Sequence, residues 1–421
     1  MFVVIGYVVG ATIFILPGSL APDTGPAVFV AYALAAIPAI VAGFVMAQIG
    51  SAFPVSGSIF ILLRDALSTY AGFIYQWIMV SMGAVVIPLV AFGFADYLGY
   101  FVPGLNAKAV AATLAVLFVG LNWFGMSVAT RAQNIMVVVF LAALLVFGLG
   151  GVIAGDAVNL QPLFPKGYSV LTIAAITAYF SYAGVFVIAE IAGEVKDPGR
   201  NIPRAILLAF IAIIALYLLV PLALTMLIPW QELGATQMAV VTASGLFLPA
   251  PVVSIIAVSA LFAAATTVNS FMMGLSRDLF QGAKSGLFPG VFAAVNAKTH
   301  VPDRAVVLIG ALSLIGIAIG GAITSYAQLA LIGLMLIQIM TGIALLRLPT
   351  VLPDAFAKSV FKLSMGVLRT VAAAYIAFSA FFLYMLSSEK PRLLIIGLGF
   401  LLVGVIYQQI WSRTGGRTKH D

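Results

Sequence analysis

The chain has 421 residues, 63% of them hydrophobic and 8% charged, with a mean hydropathy of +1.19. No water-soluble architecture of core and polar surface has that balance, so the chain reads as an all-α, polytopic membrane protein. The net charge of +7 does not mark nucleic-acid binding, because the basic residues are scattered among loops without interleaved aromatics; the lack of cysteine excludes disulfides, thiolate metal sites and cysteine nucleophiles.

Twelve apolar segments, each close to the 20 or so residues that cross a bilayer, follow one another. They lie at 1–19, 26–50, 69–101, 107–124, 132–154, 170–193, 203–228, 250–276, 304–321, 324–346, 367–387 and 391–411. The chain opens directly on apolar residues, Met1 to Val4, with no basic leader or cleavage site, so no signal peptide is read and the first segment reads as clipped. Inside that segment stands a polar interruption, Gly10-Ala11-Thr12-Ile13-Phe14. In hydrocarbon every backbone N–H and C=O needs a partner within the protein, so a break there is tolerated only beside a cavity. Unwinding at Gly10, Ala11 and Thr12 turns freed amides, and the positive end of the half-helix that follows, toward an anionic group. The alternative is a glycine that merely lets two helices pack closely.

After the second span, Gly50 to Arg64 is amphipathic and too short and polar to cross, and reads as an interfacial helix on the cytoplasmic side. A second insertion, Asp278 to Arg304, follows the eighth span. Between them the sixth segment places Ser181, Tyr182, Ala183 and Gly184 at mid-span, as the first segment places its own break. Paired interruptions at matching positions of two halves point to a secondary transporter with a midplane site. The chain then divides into 1–154, spans one to five; 170–346, spans six to ten; 367–411, two further spans; and 412–421, a tail. Pro38, Pro88 and Pro221 within spans are read as kinks only.

Lys and Arg set the orientation. With the N-terminus inside, sixteen of the 20 face the cytoplasm and Lys108, Lys166, Lys390 and Arg392 face out. This bias in short loops agrees with an even number of spans and a cytoplasmic C-terminus. Short loops suit a bacterial inner membrane.

Four stretches together resemble the amino acid, polyamine and organocation permease superfamily: Gly10 to Gly18, Ile49 to Arg64, Ile191 to Ile206 and Thr266 to Pro289. The third, with its run EVKDPGRNIPRAI, is the most specific. The resemblance implies a LeuT-like fold of five plus five helices in inverted repeat with two extra helices, and amino acids or amines as substrates. It implies that the backbone of Gly10, Ala11, Thr12 and Ile13 grips a substrate carboxylate. Carbonyls around Phe180, Ser181, Tyr182 and Ala183 would hold the α-amino group, with Phe180 as aromatic gate.

The chain departs from that family pattern at Ala11 and Thr12, where the family often has serine and usually a second glycine, and two further departures matter more. Phe140 aligns with the Lys that proton-coupled relatives carry in the fifth span, and Phe186 with the Glu that others carry in the sixth. The nearest remaining intramembrane acid is Glu190, a candidate for a proton or gating role or for a plain ion pair with a cytoplasmic base. Thr266 and Thr267 align with paired hydroxyls that, with carbonyls of Gly6 and Val9, hold sodium in some proteins of this fold, and hard cations favour such oxygens; helix packing is the other reading of these hydroxyls. The expected coupling ion is therefore a proton or sodium, and no cofactor is expected. The residues placed at the site, Ala11, Thr12, Phe180, Ser181, Tyr182 and Phe186, include no carboxylate for a cationic side chain, so a neutral amino acid is expected. A membrane enzyme would need converging intramembrane acids or histidines, and a channel would need a ring of filter residues; neither pattern is present in the sequence.

Overall fold

A computed structural model describes residues 2–413 apart from 56, 124, 125, 187, 188, 190–194, 237, 300 and 322. Among the described residues its regular elements are helical, and the description of this protein rests on sixteen of them. These are α1 (Phe2–Val9), α2 (Thr12–Thr24), α3 (Val28–Ala52), α4 (Ser58–Ala66), α5 (Thr69–Met82), α6 (Val86–Leu98), α7 (Ala107–Trp123) and α8 (Met126–Ala154). After them come α9 (Ser169–Tyr179), a 3-10 segment (Phe180–Phe186), α10 (Pro198–Leu227), α11 (Ala250–Lys284), α12 (Asp303–Ile319), α13 (Ile323–Val351), α14 (Met365–Glu389) and α15 (Pro391–Arg413). The starts are local chemistry: Ser68 caps α5 by accepting from the Ala71 N–H at 3.1 Å, which pairs one of the amides that a helix start leaves free.

Among the described residues, nine helical stretches are long and apolar enough to cross a membrane. One of them, Thr12–Ala52, runs through parts of the first two expected spans, and α7 and α12, at 17 residues each, correspond to two more. Each of the twelve expected segments therefore falls on helical structure. The centre of the molecule is α1, enclosed by α8, α10, α11 and the 3-10 segment. Around it α10 lies along α3 and α8, and α11 lies along α6 and α8. Side-chain amides tie the outer helices in: Asn122 of α7 donates to Asn269 Oδ1 of α11 at 2.9 Å, and Gln338 of α13 donates to the Tyr179 hydroxyl of α9 at 2.9 Å while accepting from Ser379 of α14 at 2.7 Å.

Three local features differ from the sequence reading. The amphipathic stretch after the second span is shorter, since α3 runs on to Ala52, and the face of α4 that carries Ile59, Phe60, Leu62 and Leu63 is wholly covered by protein, with α5 and α13 as its neighbours. The apolar face expected to lie on the bilayer surface packs inward because a second and third helix are available to bury it. The start of the second insertion continues α11 as far as Lys284, followed by a 3-10 turn at Gly290–Ala293. The third span is broken at Gly83–Val85, where amides turn back to carbonyls three residues earlier.

That last break is held from α12. Ser313 donates to Gly83 O at 3.0 Å, and Gly316 brings α12 so close that a Cβ placed there would collide with the backbone oxygen of Ala84. Backbone cannot give way as a side chain can, so this crossing admits glycine alone. Gly316→Val is expected to lower the melting temperature of the detergent-solubilised protein by several degrees and to reduce its monodisperse fraction on size exclusion; Gly366→Val, at a position with open space, leaves both unchanged.

Candidate functional site

The first break is compact. Gly10 takes φ +33°, outside the range that side chains favour, α1 stops at Val9, and α2 resumes at Thr12 with no side-chain cap on its first amides. The expected unwinding thus covers Gly10 and Ala11, and Thr12 already belongs to the second half-helix. The second break is a tightening rather than an unwinding: all of Phe180–Phe186 is 3-10 helix. Such a stretch in mid-helix alters which carbonyls are paired and often marks a hinge.

The two breaks face one cavity. Val8, Gly10 and Thr12 line it from the first break, Phe180, Ser181, Ala183 and Gly184 from the second, Val86 and Val90 from α6, and Thr267 and Phe271 from α11. Its volume of about 20 Å³ holds one water and no amino acid. Phe180 and Phe271 are its two aromatic wall residues. Ala11, Ile13, Tyr182 and Phe186 are buried beside the cavity without lining it. Phe140 is likewise fully buried, and leaves no charge at the place where the resemblance would put a lysine. Glu190 lies outside the described residues.

The polar atoms around the cavity are already engaged. The Ala11 amide donates to Thr267 Oγ1 at 3.3 Å, and Thr267 spends its own proton on Ala263 O at 2.9 Å. Thr266, next to it and fully buried, also donates to Ala263 O, at 2.8 Å. Of the carbonyls proposed to face them, Gly6 lies buried within α1, and Val9 O stands 3.5 Å from Thr12 Oγ1 and 3.4 Å from the Tyr217 hydroxyl. Thr267 therefore reaches the break, whereas Thr266 bonds within its own helix.

Sequence reasoning missed the residue that joins the breaks. The hydroxyl of Tyr217, on α10, stands 2.7 Å from Val8 O and 2.9 Å from Ser181 O, so one side chain serves a carbonyl of each interrupted helix. Its ring meets Tyr32 of α3 and Tyr182 edge-on, at 5.4 and 4.8 Å between centroids. Tyr182 in turn donates to Tyr32 O at 3.2 Å, and the Tyr32 hydroxyl lies 3.4 Å from Ser181 Oγ. All three tyrosines are fully buried. A signal was present: a tyrosine in the middle of an apolar span usually places its hydroxyl on some partner. Tyr97 of α6 does the same for α2, donating to Phe14 O at 2.6 Å.

A second, larger crevice of about 610 Å³ lies among α5, α12, α13, α14 and α15, bordered by Trp77, Phe288, Leu336, Phe400 and Tyr407. Its lining is almost wholly apolar and lacks the converging polar groups that orient a small solute. The small cavity between the breaks is the better candidate despite its size.

With the geometry in place, likeness to known proteins decides the family. The model of the amino acid permease family matches residues 1–391. The chain belongs to that family. This permease is 28% identical to the methylthioribose transporter of Bacillus subtilis (strain 168) over 319 residues, 71% of this chain and 69% of that protein. It is 25% identical to the branched-chain amino acid permease BcaP of the same organism over 377 residues, 83% of this chain and 79% of that one. To the vacuolar cationic amino acid transporter 2 of Arabidopsis thaliana it is 26% identical over 375 residues, 83% of this chain and 59% of that one. The permease is accordingly a multi-pass membrane transporter and not an enzyme.

The tyrosine that joins the two breaks gives a first test of this site. Tyr217→Phe keeps the ring contacts and removes the one hydroxyl shared by Val8 O and Ser181 O, which is expected to cost about 1–3 kcal/mol for a buried hydrogen bond lost. A thermal melt reads this as a clear fall, whereas Tyr70→Phe, on a residue 45% exposed, leaves the curve in place.

Proposed function

We propose that this permease is a secondary active transporter that carries a neutral amino acid by alternating access around the cavity between its two breaks. The observation that carries the reading is that both interrupted helices open on one cavity, lined on one side by Gly10 and Thr12 and on the other by Ser181 and Gly184. The uncapped amides at the start of α2 suit a carboxylate. The carbonyls of the 3-10 segment suit an ammonium group. This assigns Gly10, Ala11, Thr12 and Ile13 to the acid end of the substrate and Phe180, Ser181, Tyr182 and Ala183 to the amine end.

Neutrality rests on the lining, which holds no ionisable side chain among the described residues. A cationic substrate side chain buried there would have no counter-charge. The architecture we infer has twelve crossings, with two five-helix repeats at 1–154 and 170–346, two further helices, and both termini on the cytoplasmic side of the cell membrane. The distribution of Lys and Arg and the two matching breaks support it.

Counterflow into proteoliposomes tests the function, because only a carrier speeds entry of label when unlabelled substrate is trapped inside. Label entry is expected with leucine or alanine, with competition by phenylalanine and threonine and none by arginine. Competition by arginine alone, or counterflow with methylthioribose and no amino acid, overturns the neutral amino-acid reading. Gly10→Leu is expected to abolish counterflow, since its side chain collides with Thr267 and fills the approach to the amides.

Coupling is read in the same vesicles. Glu190→Gln keeps size but cannot ionise; if the driving ion is a proton held there, accumulation no longer follows the pH gradient while exchange persists. If sodium drives transport, Thr266→Val and Thr267→Val each weaken the sodium dependence and Glu190→Gln has little effect. Unchanged accumulation in all three variants identifies an exchanger or facilitator.

A further inference from the structure

Thr267 stands on the atom that a substrate carboxylate would need. Its Oγ1 accepts the Ala11 N–H at 3.3 Å, its own proton is committed to Ala263 O at 2.9 Å, and it is 4% exposed. A Cβ on Gly10 would strike the same Oγ1. The hydroxyl also lines the cavity together with Ser181 and Gly184. The empty site is therefore occupied at its acid end by a neutral oxygen that belongs to a different helix.

We propose that Thr267 is an internal stand-in for the substrate carboxylate: it pairs the Ala11 amide while the site is empty, and substrate must displace it. The proposal rests on the carboxylate assignment of the preceding subsection and adds to it a residue with the opposite sign of effect. A side chain that binds substrate, or a coupling ion on its behalf, weakens substrate binding when removed. A side chain that competes with substrate strengthens binding when removed. The exchange is downhill because a hydrogen bond from an amide to a carboxylate is roughly twice as strong as one to a neutral hydroxyl. Displacement also frees the first break from α11, so occupancy of the site is reported to a helix that the substrate carboxylate does not itself have to touch.

The test compares equilibrium binding to wild type, Thr267→Val and Thr267→Ser in purified, detergent-solubilised full-length protein. The probes are leucine and alanine and the amines that lack their carboxylates, isoamylamine and ethylamine, each in sodium chloride and in choline chloride. Valine keeps the shape of threonine but cannot accept, so Ala11 N–H enters the empty state unpaired. Thr267→Val is expected to bind the amino acids about fivefold more tightly, the scale of one neutral hydrogen bond, with no change for the amines. Thr267→Ser keeps the acceptor and returns amino-acid affinity to the wild-type value. Thr267→Ala runs beside the valine variant, so that a fold lost to packing in one is checked in the other. Weaker or unchanged amino-acid binding in the Val and Ala variants overturns the proposal and leaves the site assignment standing. A gain seen only in sodium overturns it too, and makes Thr267 part of an ion site. Wild type that binds neither amino acid removes the carboxylate assignment itself, and the proposal with it.

Discussion

A helix interrupted within an apolar bundle leaves carbonyls and amides that lipid cannot pair, and each unpaired group costs on the order of 1–3 kcal/mol or more. The centre of this permease is organised by that constraint. Val8 O and Ser181 O look to Tyr217, the Ala11 amide to Thr267 and Gly83 O to Ser313. Each partner comes from a different helix than the break it serves. The breaks therefore do not loosen the fold; they fix which helices must be neighbours, and so place α1 in the middle with α8, α10 and α11 around it.

The partners also differ in chemistry. Tyr217 is a donor set into a cluster with Tyr32 and Tyr182, whose rings meet edge-on and have no solvent access. Aromatic packing adds to its hydrogen bonds, so this junction holds α3, α10 and both interrupted helices together as a unit. Thr267 makes a single longer contact from α11. The first break is thus held by a stronger junction from α10 and a weaker one from α11.

Family membership narrows the activity to transport without naming the cargo. The relatives' own names span a thioether sugar, branched-chain amino acids and cationic amino acids, so the scaffold tolerates very different solutes. In the proposed reading, discrimination falls to the few side chains that line the cavity. Here those are small, aliphatic or aromatic, with two hydroxyls from threonine and one from serine. The proposal of an uncharged substrate side chain rests on that lining.

The sequence alone determined the medium, the helical class, the position of the helical segments and the two places where helices are interrupted. These follow from apolar run length and from Gly and polar residues within the runs, which are local properties. It also carried the family, through motifs such as Gly10 to Gly18. The sequence could not show that α4 is covered by α5 and α13, because an apolar stripe looks the same whether lipid or protein covers it. Nor did it separate Thr266 from Thr267, neighbours in sequence, of which only Thr267 reaches the first break. Tyr217, Phe271 and the break at Gly83 became visible as parts of one site or crossing only in three dimensions. Which donor meets which orphaned carbonyl is a matter of helix packing across hundreds of residues, and pairing at that range is decided by the tertiary structure.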